Sequence, residues 1–429
     1  MTQPLSVLSM HMKKARAVTP RSVGGVALLS ALLVLLPSTG ALALTNAADD
    51  TAQTNGTVFA SVQYGGVLFI GGEFTRVNPP ASGGSAITVQ NLAAVDMSTG
   101  KGIAAFHPAV TGNAHQEAQI QSLAVVGNTL YVGGQFDAVD GHAHYNMAAI
   151  DIDPGTIAGT VDGTFNATVG LPGAAGEAGY YAYSLLVGSD GVYVGGAFNK
   201  VDGASRGNVA KLNWDGTLVN AWNVAGLNSN VRDLQPAPSG NTIFVAGAFS
   251  APRQSILRVS TSTGALDSWA IPAGGVIVGD STDPGMTCWS LAVAPSRLFA
   301  ACGRQPNYVA AFRLDNGNAG DRAWSYKLVG NPQAISLTAN GKSLLFGGHF
   351  GTFLKQKVCG GKLLKNLGIF NSIFTAKPKI NCNFRPNFEG QNPFGGVWDI
   401  QVRPTYFWVS GGFDTIGTVA HRGIARFTS

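Results

Sequence analysis

LYVGGQFDAVDG, residues 130–141, returns 62 positions later as VYVGGAFNKVDG, residues 192–203. A phrase repeated at a fixed interval marks a repeated supersecondary unit, so the period decides the architecture. Its core is two apolar residues, two small ones, any residue, then Phe. The core recurs as LFIGGEF ending at Phe74, LYVGGQF at Phe136, VYVGGAF at Phe198, IFVAGAF at Phe249, LLFGGHF at Phe350 and, one residue longer, FWVSGGF at Phe413. Residues 298–304, LFAACGR, fill the gap before Phe350, with Ala301 and Cys302 for the Gly pair and Arg304 for the Phe. The seven copies are spaced by 62, 62, 51, 55, 46 and 63 residues.

Each copy keeps the same company. A strand-like run precedes it and carries a small polar residue before an aliphatic one: Ser61, Ser122, Ser184, Asp233, Ser290, Ser336 and Asp399. Between the two runs lies a short turn such as VGNT or GSDG, rich in the Gly and Asn that supply positive φ in hairpins. A third run follows, often after Asn (Asn91, Asn146, Asn208, Asn366), and a fourth begins with an aromatic (Phe106, Phe165, Trp222, Trp269, Trp324, Phe384). The unit therefore reads as four short antiparallel strands, A to D. Strand B is apolar on consecutive residues, which requires burial of both faces. Stacked sheets provide that burial, and the expected fold is all-β, a single seven-bladed β-propeller of four-stranded antiparallel blades over residues 44–429. Its blades are centred on Phe74, Phe136, Phe198, Phe249, Arg304, Phe350 and Phe413.

Residues 1–43 read as a signal peptide: Lys13, Lys14, Arg16 and Arg21 with no acid, the apolar run 23–36, then Ala41-Leu42-Ala43. No other segment is apolar for the roughly 20 residues that a membrane span needs. The whole chain has 28 Lys and Arg against 23 acids, so without the leader's four bases the charge is nearly balanced. A nucleic-acid partner loses its electrostatic basis. One basic stretch remains, Lys355, Lys357, Lys362, Lys365, Lys377, Lys379 and Arg385, read as a solvated hairpin.

The cysteines number four. Cys288 begins strand A of the fifth unit and Cys302 lies in its strand B; their midpoint, Pro295, falls in the turn, so the two face each other at a separation that a disulfide can bridge. Such a closure is worth about 3 kcal/mol. Cys359 and Cys382 are expected to tie down the basic stretch. A four-thiol zinc site lacks CxxC spacing, and an oxidised, exported protein fits better.

The pattern YVGGxFxxVDG, with RGNVAKLNWDG at 206–216 and Trp222-Asn223 after it, resembles the delta-60 repeat β-propeller group of exported bacterial proteins and, more loosely, kelch repeats. The resemblance runs from about residue 57 to 429 and implies a secreted or envelope propeller, without catalytic residues to carry over.

Residues present in every unit are architectural, so function is sought among those that differ. Long connections (77–90, 170–179, 271–285) gather on one face, where binding sites usually lie. Strand A starts on that face beside the central channel, and its early positions hold Gln121, Tyr183, Arg232, Trp289 and Trp398 as candidate ligand-binding residues. The bland alternative is that they pack between blades. His142 and His144, spaced HxH, are weak metal candidates, and no cofactor is expected. Catalytic residues are not identifiable: GxSxG and HExxH are missing, and of the few Glu residues Glu73, Glu117, Glu177 and Glu389, three sit in long-loop connections. The chain stops inside strand C of the seventh unit, so residues 45–56 are the expected donor of its closing strand, with a three-stranded seventh blade as the competitor. The expectation is a monomeric exported binding or adhesion module for an extracellular glycan or protein; a glycan-acting enzyme and a structural envelope protein are the alternatives.

Overall fold

The computed structural model describes residues 44–113, 117–170, 180–272, 286–303, 307–315, 319–353, 358–390 and 395–428. The expected leader, Arg304, Glu177, Lys355, Lys357 and most of the loops 170–179 and 271–285 lie outside the described residues. The described chain is all-β, with one short 3-10 turn at Val358–Gly361. Among the described residues no helix is long and apolar enough to cross a membrane.

Two apolar runs joined by a tight turn pair first with each other, and each repeat starts with such a hairpin. In repeat 2, strand A (Gln119–Val126) pairs with B (Thr129–Gln135), and B with C (Met147–Ile152). Repeat 1 follows with Thr57–Tyr64, Val67–Glu73 and Leu92–Asp96, and repeat 3 with Tyr181–Val187, Val192–Ala197 and Val209–Leu212. Repeat 4 uses Val231–Pro236, Thr242–Gly247 and Ile256–Ser260; repeat 7 uses Val397–Val402, Tyr406–Gly411 and Ile424–Thr428. Repeat 5 has Thr287–Ala294, Arg297–Gly303 and Asn307–Arg313. One unbroken strand, Arg322–Leu337, is then D of repeat 5 at its start and A of repeat 6 at its end, where it pairs with Ser343–Phe353, itself paired with Leu367–Asn371.

Strand B is buried along nearly its whole length, as in all of Arg297–Gly303, so each sheet needs cover on both faces. The cover is the neighbouring repeat. Phe69 and Phe106 of repeat 1 share a cluster with Ile120 and Val132 of repeat 2, and Tyr131 and Phe165 of repeat 2 with Ala182 and Val194 of repeat 3. Tyr193 and Trp222 meet Val231 and Val245 of repeat 4; Phe244 and Trp269 meet Leu291 and Ala300 of repeat 5. Phe299 and Trp324 meet Ile335 and Phe346 of repeat 6; Leu345 and Phe384 meet Ile400 and Val409 of repeat 7. Trp408 and Ile424 of repeat 7 close back on Val58 and Ile70 of repeat 1. Strand A contacts the next strand A throughout, including repeat 7 to repeat 1.

The small-residue pair permits this stacking. A Cβ on Gly133 would sit 2.5 Å from Ser122 Oγ and 3.1 Å from Ala182 Cβ of the next repeat, and one on Gly134 would collide with the Gln119 carbonyl. The Asn before strand C holds the turn. Asn91, Asn146, Asn208 and Asn366 all have φ between 63 and 68°, and their Oδ1 atoms accept from the backbone N–H of Phe74, Phe136, Phe198 and Phe350. On the outside, the fourth-run indoles cross to the following sheet: Trp222 Nε1 donates to Ser260 O at 3.0 Å, Trp269 Nε1 to Arg313 O at 3.2 Å, Trp324 Nε1 to Ile373 O at 2.8 Å.

The expectation of four strands in every repeat needs correction. Strand D is formed in repeat 2 (Gly159–Val161), in repeat 5 and, as Lys379–Ile380, in repeat 6. Repeats 1, 3 and 4 keep single bridges, Val95 to Gly102, Leu212 to Leu218 and Val259 to Leu266. The chain turns away early, with Phe106 N donating to Ile103 O and Trp222 N to Val219 O, so that the aromatic can enter the space between sheets. Repeat 7 has three strands, and residues 45–56 do not add a fourth. They form an arm: Asp49 N donates to Arg426 O at 2.8 Å, its carboxylate takes Arg426 Nε at 2.6 Å, and Gln53–Thr54 pair with Val77 and Asn78 of repeat 1.

Several B–C connections fold into hairpins of their own. Ala138–Val139 pair with His142–Ala143 and Lys200–Val201 with Ala204–Ser205; Thr415–Ile416 pair with Val419–Ala420. The Asp-Gly of the repeated phrase makes the first two turns, with φ of 49° and 77° at Asp140 and Gly141.

If the small pair sets the sheet spacing, Gly133→Ala lowers unfolding free energy by about 1–3 kcal/mol through overpacking. Gly66→Ala, where nothing lies within 4 Å of the added Cβ, changes it by less than about 0.5 kcal/mol. Urea denaturation of the two variants checks this.

Candidate functional site

Strand A carries one extra residue opposite the small pair of strand B. The register breaks between Val58 and Ala60, Ile120 and Ser122, Ala182 and Ser184, Val231 and Asp233, Cys288 and Ser290, Pro332 and Ala334, and Val397 and Asp399. A bulge re-aims the unpaired side chain. The residues thus displaced are Phe59, Gln121, Tyr183, Arg232, Trp289, Gln333 and Trp398; all line one cavity of about 580 Å³ and all are half-buried. Gln121, Tyr183, Arg232, Trp289 and Trp398 are the sequence candidates. Phe59 and Gln333 are additions. Ala60 and Ala334, opposite Gly71 and Gly347, take the place that Ser or Asp holds elsewhere, so aligning repeats 1 and 6 on Ser61 and Ser336 shifts the register and hides them. Counting strand A back from the small pair finds both.

The bulged side chains touch one another. Tyr183 stacks on Tyr181 at 5.0 Å, and the Arg232 guanidinium lies 3.7 Å from the Tyr183 ring centre and 4.6 Å from that of Trp289. Trp289 meets Trp398 edge-on at 6.2 Å, and Trp398 meets Phe59 at 5.4 Å. The result is an aromatic arc with one cation in it, completed by the amides of Gln121 and Gln333. Gln121 Nε2 donates to Gln119 Oε1 at 3.2 Å, and Gln119 Nε2 to Glu73 Oε2 at 3.1 Å.

The electrostatics follow from partial burial. Burial pulls the Arg232 guanidinium below its ordinary pKa and pushes the Tyr183 phenol up, the neighbouring Arg232 charge opposing the latter shift. Among the described residues no carboxylate forms an ion pair with Arg232. Arg232 Nε, Trp289 Nε1 and Gln333 Oε1 are buried, and among the described residues they have no hydrogen-bond partner.

Beside this arc, Ser and Asp residues bind four of the repeats to the next. Ser122 Oγ donates to Ala182 O at 3.1 Å, and Ser184 Oγ accepts from Leu234 N at 3.1 Å. Asp233 Oδ2 accepts from Leu291 N at 2.6 Å and Asp399 Oδ2 from Ser61 N at 2.9 Å. Burial pushes the Asp233 carboxyl up to about 7, against hydrogen bonds from Leu291, Gln235 and Leu234, and the Asp399 charge adds to the rise.

The remaining candidates sit elsewhere. His142 is exposed in its hairpin, whereas His144, past the hairpin's end, is buried, and burial lowers its pKa. Among the described residues no group of three or more His, Cys, Asp or Glu is arranged to hold a metal. Glu73 and Glu117 line a second cleft of about 430 Å³, and burial, then the Glu117 charge, raises the Glu73 pKa. Glu389 pairs with Lys365 at 2.7 Å. Cys288 is bonded to Cys302 across directly opposed positions with Cα atoms 4.0 Å apart, and Cys359 to Cys382 at 5.1 Å.

No protein-family model matches the chain, and no curated protein does. Solved structures with a similar course of chain include the computationally designed Ika8 protein (12% identity, TM-score 0.47, 89% of this chain and 100% of that one). Another is a candidate 6-phosphogluconolactonase from Bacteroides uniformis (12% identity, TM-score 0.45, 76% and 84%). A third is the extracellular domain of a candidate one-component system from B. thetaiotaomicron (11% identity, TM-score 0.49), of which the match covers 39% and 88% of this chain.

The raised Asp233 pKa has a measurable consequence. The folded carboxyl keeps its proton to about 7, above its ordinary 3.8, so its contribution to stability is complete below that ordinary value and is lost as pH rises through about 7. Asp233→Asn removes the titration while keeping an acceptor for Leu291 N. Relative to this variant, wild type should lose urea resistance between pH 4 and 8; parallel curves would refute the assignment.

Proposed function

We propose that the chain is an exported seven-bladed β-propeller of the delta-60 repeat type that binds an extracellular glycan or protein at its channel mouth, as a monomer. The closed seven-bladed reading is supported by the apolar clusters joining each repeat to the next and the last to the first. Export is supported by two disulfides, which persist in oxidising compartments. The observation that carries the binding reading is the convergence of the bulged, repeat-specific side chains on one cavity. Backbone geometry is repeated there but chemistry is not, and aromatic rings around one Arg are the usual anchors of a binding surface.

A glycan-acting enzyme is the second reading, favoured by Glu73. Burial raises its pKa and Glu117 stands in the same cleft, two carboxyls together being the ingredients of acid–base chemistry, and hydrogen bonds through Gln119 link it to Gln121 of the mouth.

A glycan array probed with the purified chain tests the first reading. Trp289→Ala and Trp398→Ala should each weaken binding about fivefold or more, since truncating an aromatic anchor costs more than about 1 kcal/mol. Binding that survives both moves the site away from the mouth. Product formation from any bound sugar, abolished by Glu73→Gln, would promote the enzyme reading; no turnover removes it.

A further inference from the structure

We infer that the group this mouth recognises is the carboxylate of an acidic sugar, held at the edge of the Arg232 guanidinium; the inference rests on the binding reading above. Arg232 packs on two rings, Tyr183 at 3.7 Å and Trp289 at 4.6 Å. Rings that cover a guanidinium's faces leave its in-plane N–H edge as the route to a polar partner. On that edge Nε is buried and unbonded, and among the described residues the cation has no ion pair. A buried charge is costly unless an opposite charge and hydrogen bonds compensate it. A carboxylate is planar and takes two parallel N–H donors in the plane of the guanidinium, and Nε is one such donor that no described residue engages.

Two further orphans in the same cavity wall refine the class. Among the described residues Trp289 Nε1 is a second buried donor without an acceptor, and Gln333 Oε1 is a buried acceptor without a donor. A bare anion offers nothing to Gln333, whereas a sugar hydroxyl donates and accepts. Trp398 and Phe59 continue the wall with aromatic surface, against which the C–H face of a pyranose packs. Carboxylate, hydroxyls and an apolar ring face together describe a uronate.

The test is calorimetric titration of the purified chain with an oligogalacturonate, its methyl ester, a neutral galactose oligomer of equal length, a sulfated galactose oligomer and an oligoglutamate peptide. The oligogalacturonate should bind, and esterification should weaken it about tenfold or more, as expected for loss of a charge-assisted hydrogen bond. Arg232→Lys, which keeps the charge without the planar edge, should weaken it similarly, and the ester comparison stands even if that variant folds poorly. Equal binding of neutral and acidic oligomers overturns the inference and leaves the mouth as a glycan site. Preference for the sulfated oligomer overturns the carboxylate, and preference for the peptide overturns the sugar. Binding of none of the five overturns both this inference and the glycan reading beneath it.

Discussion

The constraint on which everything else depends is that strand B has no face to give to water. Its residues are buried on both sides, so a repeat is incomplete until a second sheet lies against each surface. The other recurring features serve that contact. The first small residue of each pair, as at Gly133, lets the next strand A approach. The Ser and Asp side chains reach the backbone of the following repeat, and the indoles of Trp222, Trp269 and Trp324 do the same farther out. Apolar area supplies the driving force, and these hydrogen bonds tie neighbouring sheets at defined points.

The second small residue links architecture to function. A Cβ on Gly72, Gly134 or Gly196 would collide with the carbonyl of Thr57, Gln119 or Tyr181, on the strand A residue two before the bulge. The close approach and the bulge are thus one local geometry. It repeats because the backbone needs it, yet it leaves a side chain outside the ladder whose identity the backbone does not dictate. Phe, Gln, Tyr, Arg, Trp, Gln and Trp occupy that place in order around the cavity. Repeat 5 keeps the geometry by other means: Cys302 stands where the second Gly would be and is bonded to Cys288 opposite.

Much of this is written in the chain. The period, the A–B–C order and the double burial of strand B follow from hydrophobic runs and turn residues, which act locally. The cysteine positions are legible from the turn to within one residue: Cys288 lies one residue farther from the Pro295-Ser296 turn than Cys302, and the extra residue at the Trp289 bulge brings the two opposite each other. Five bulge residues are legible because a polar neighbour flags them; Phe59 and Gln333 are not, because Ala60 and Ala334 are silent. The fourth strand misleads. Phe106 and Trp222 look like strand residues by composition, but they serve contacts between sheets, a tertiary matter that no local pattern records. The hairpins beyond strand B were spelled in the quoted phrase itself, in Val-Asp-Gly, yet a two-residue strand leaves too little periodicity to separate it from loop.

Repeats 5 and 6 share the uninterrupted strand Arg322–Leu337, so the boundary between them contains no slack. The boundary between repeats 7 and 1 is the opposite: its partners, such as Asp399 and Ser61, stand 338 positions apart in sequence. Under thermal or mechanical stress the first can yield only by tearing a ladder, while the second can part between sheets once the arm's few backbone bonds, such as Asp49 N to Arg426 O, are broken. The arm at Asp49, fastened to Arg426, lies across that joint and acts as its latch.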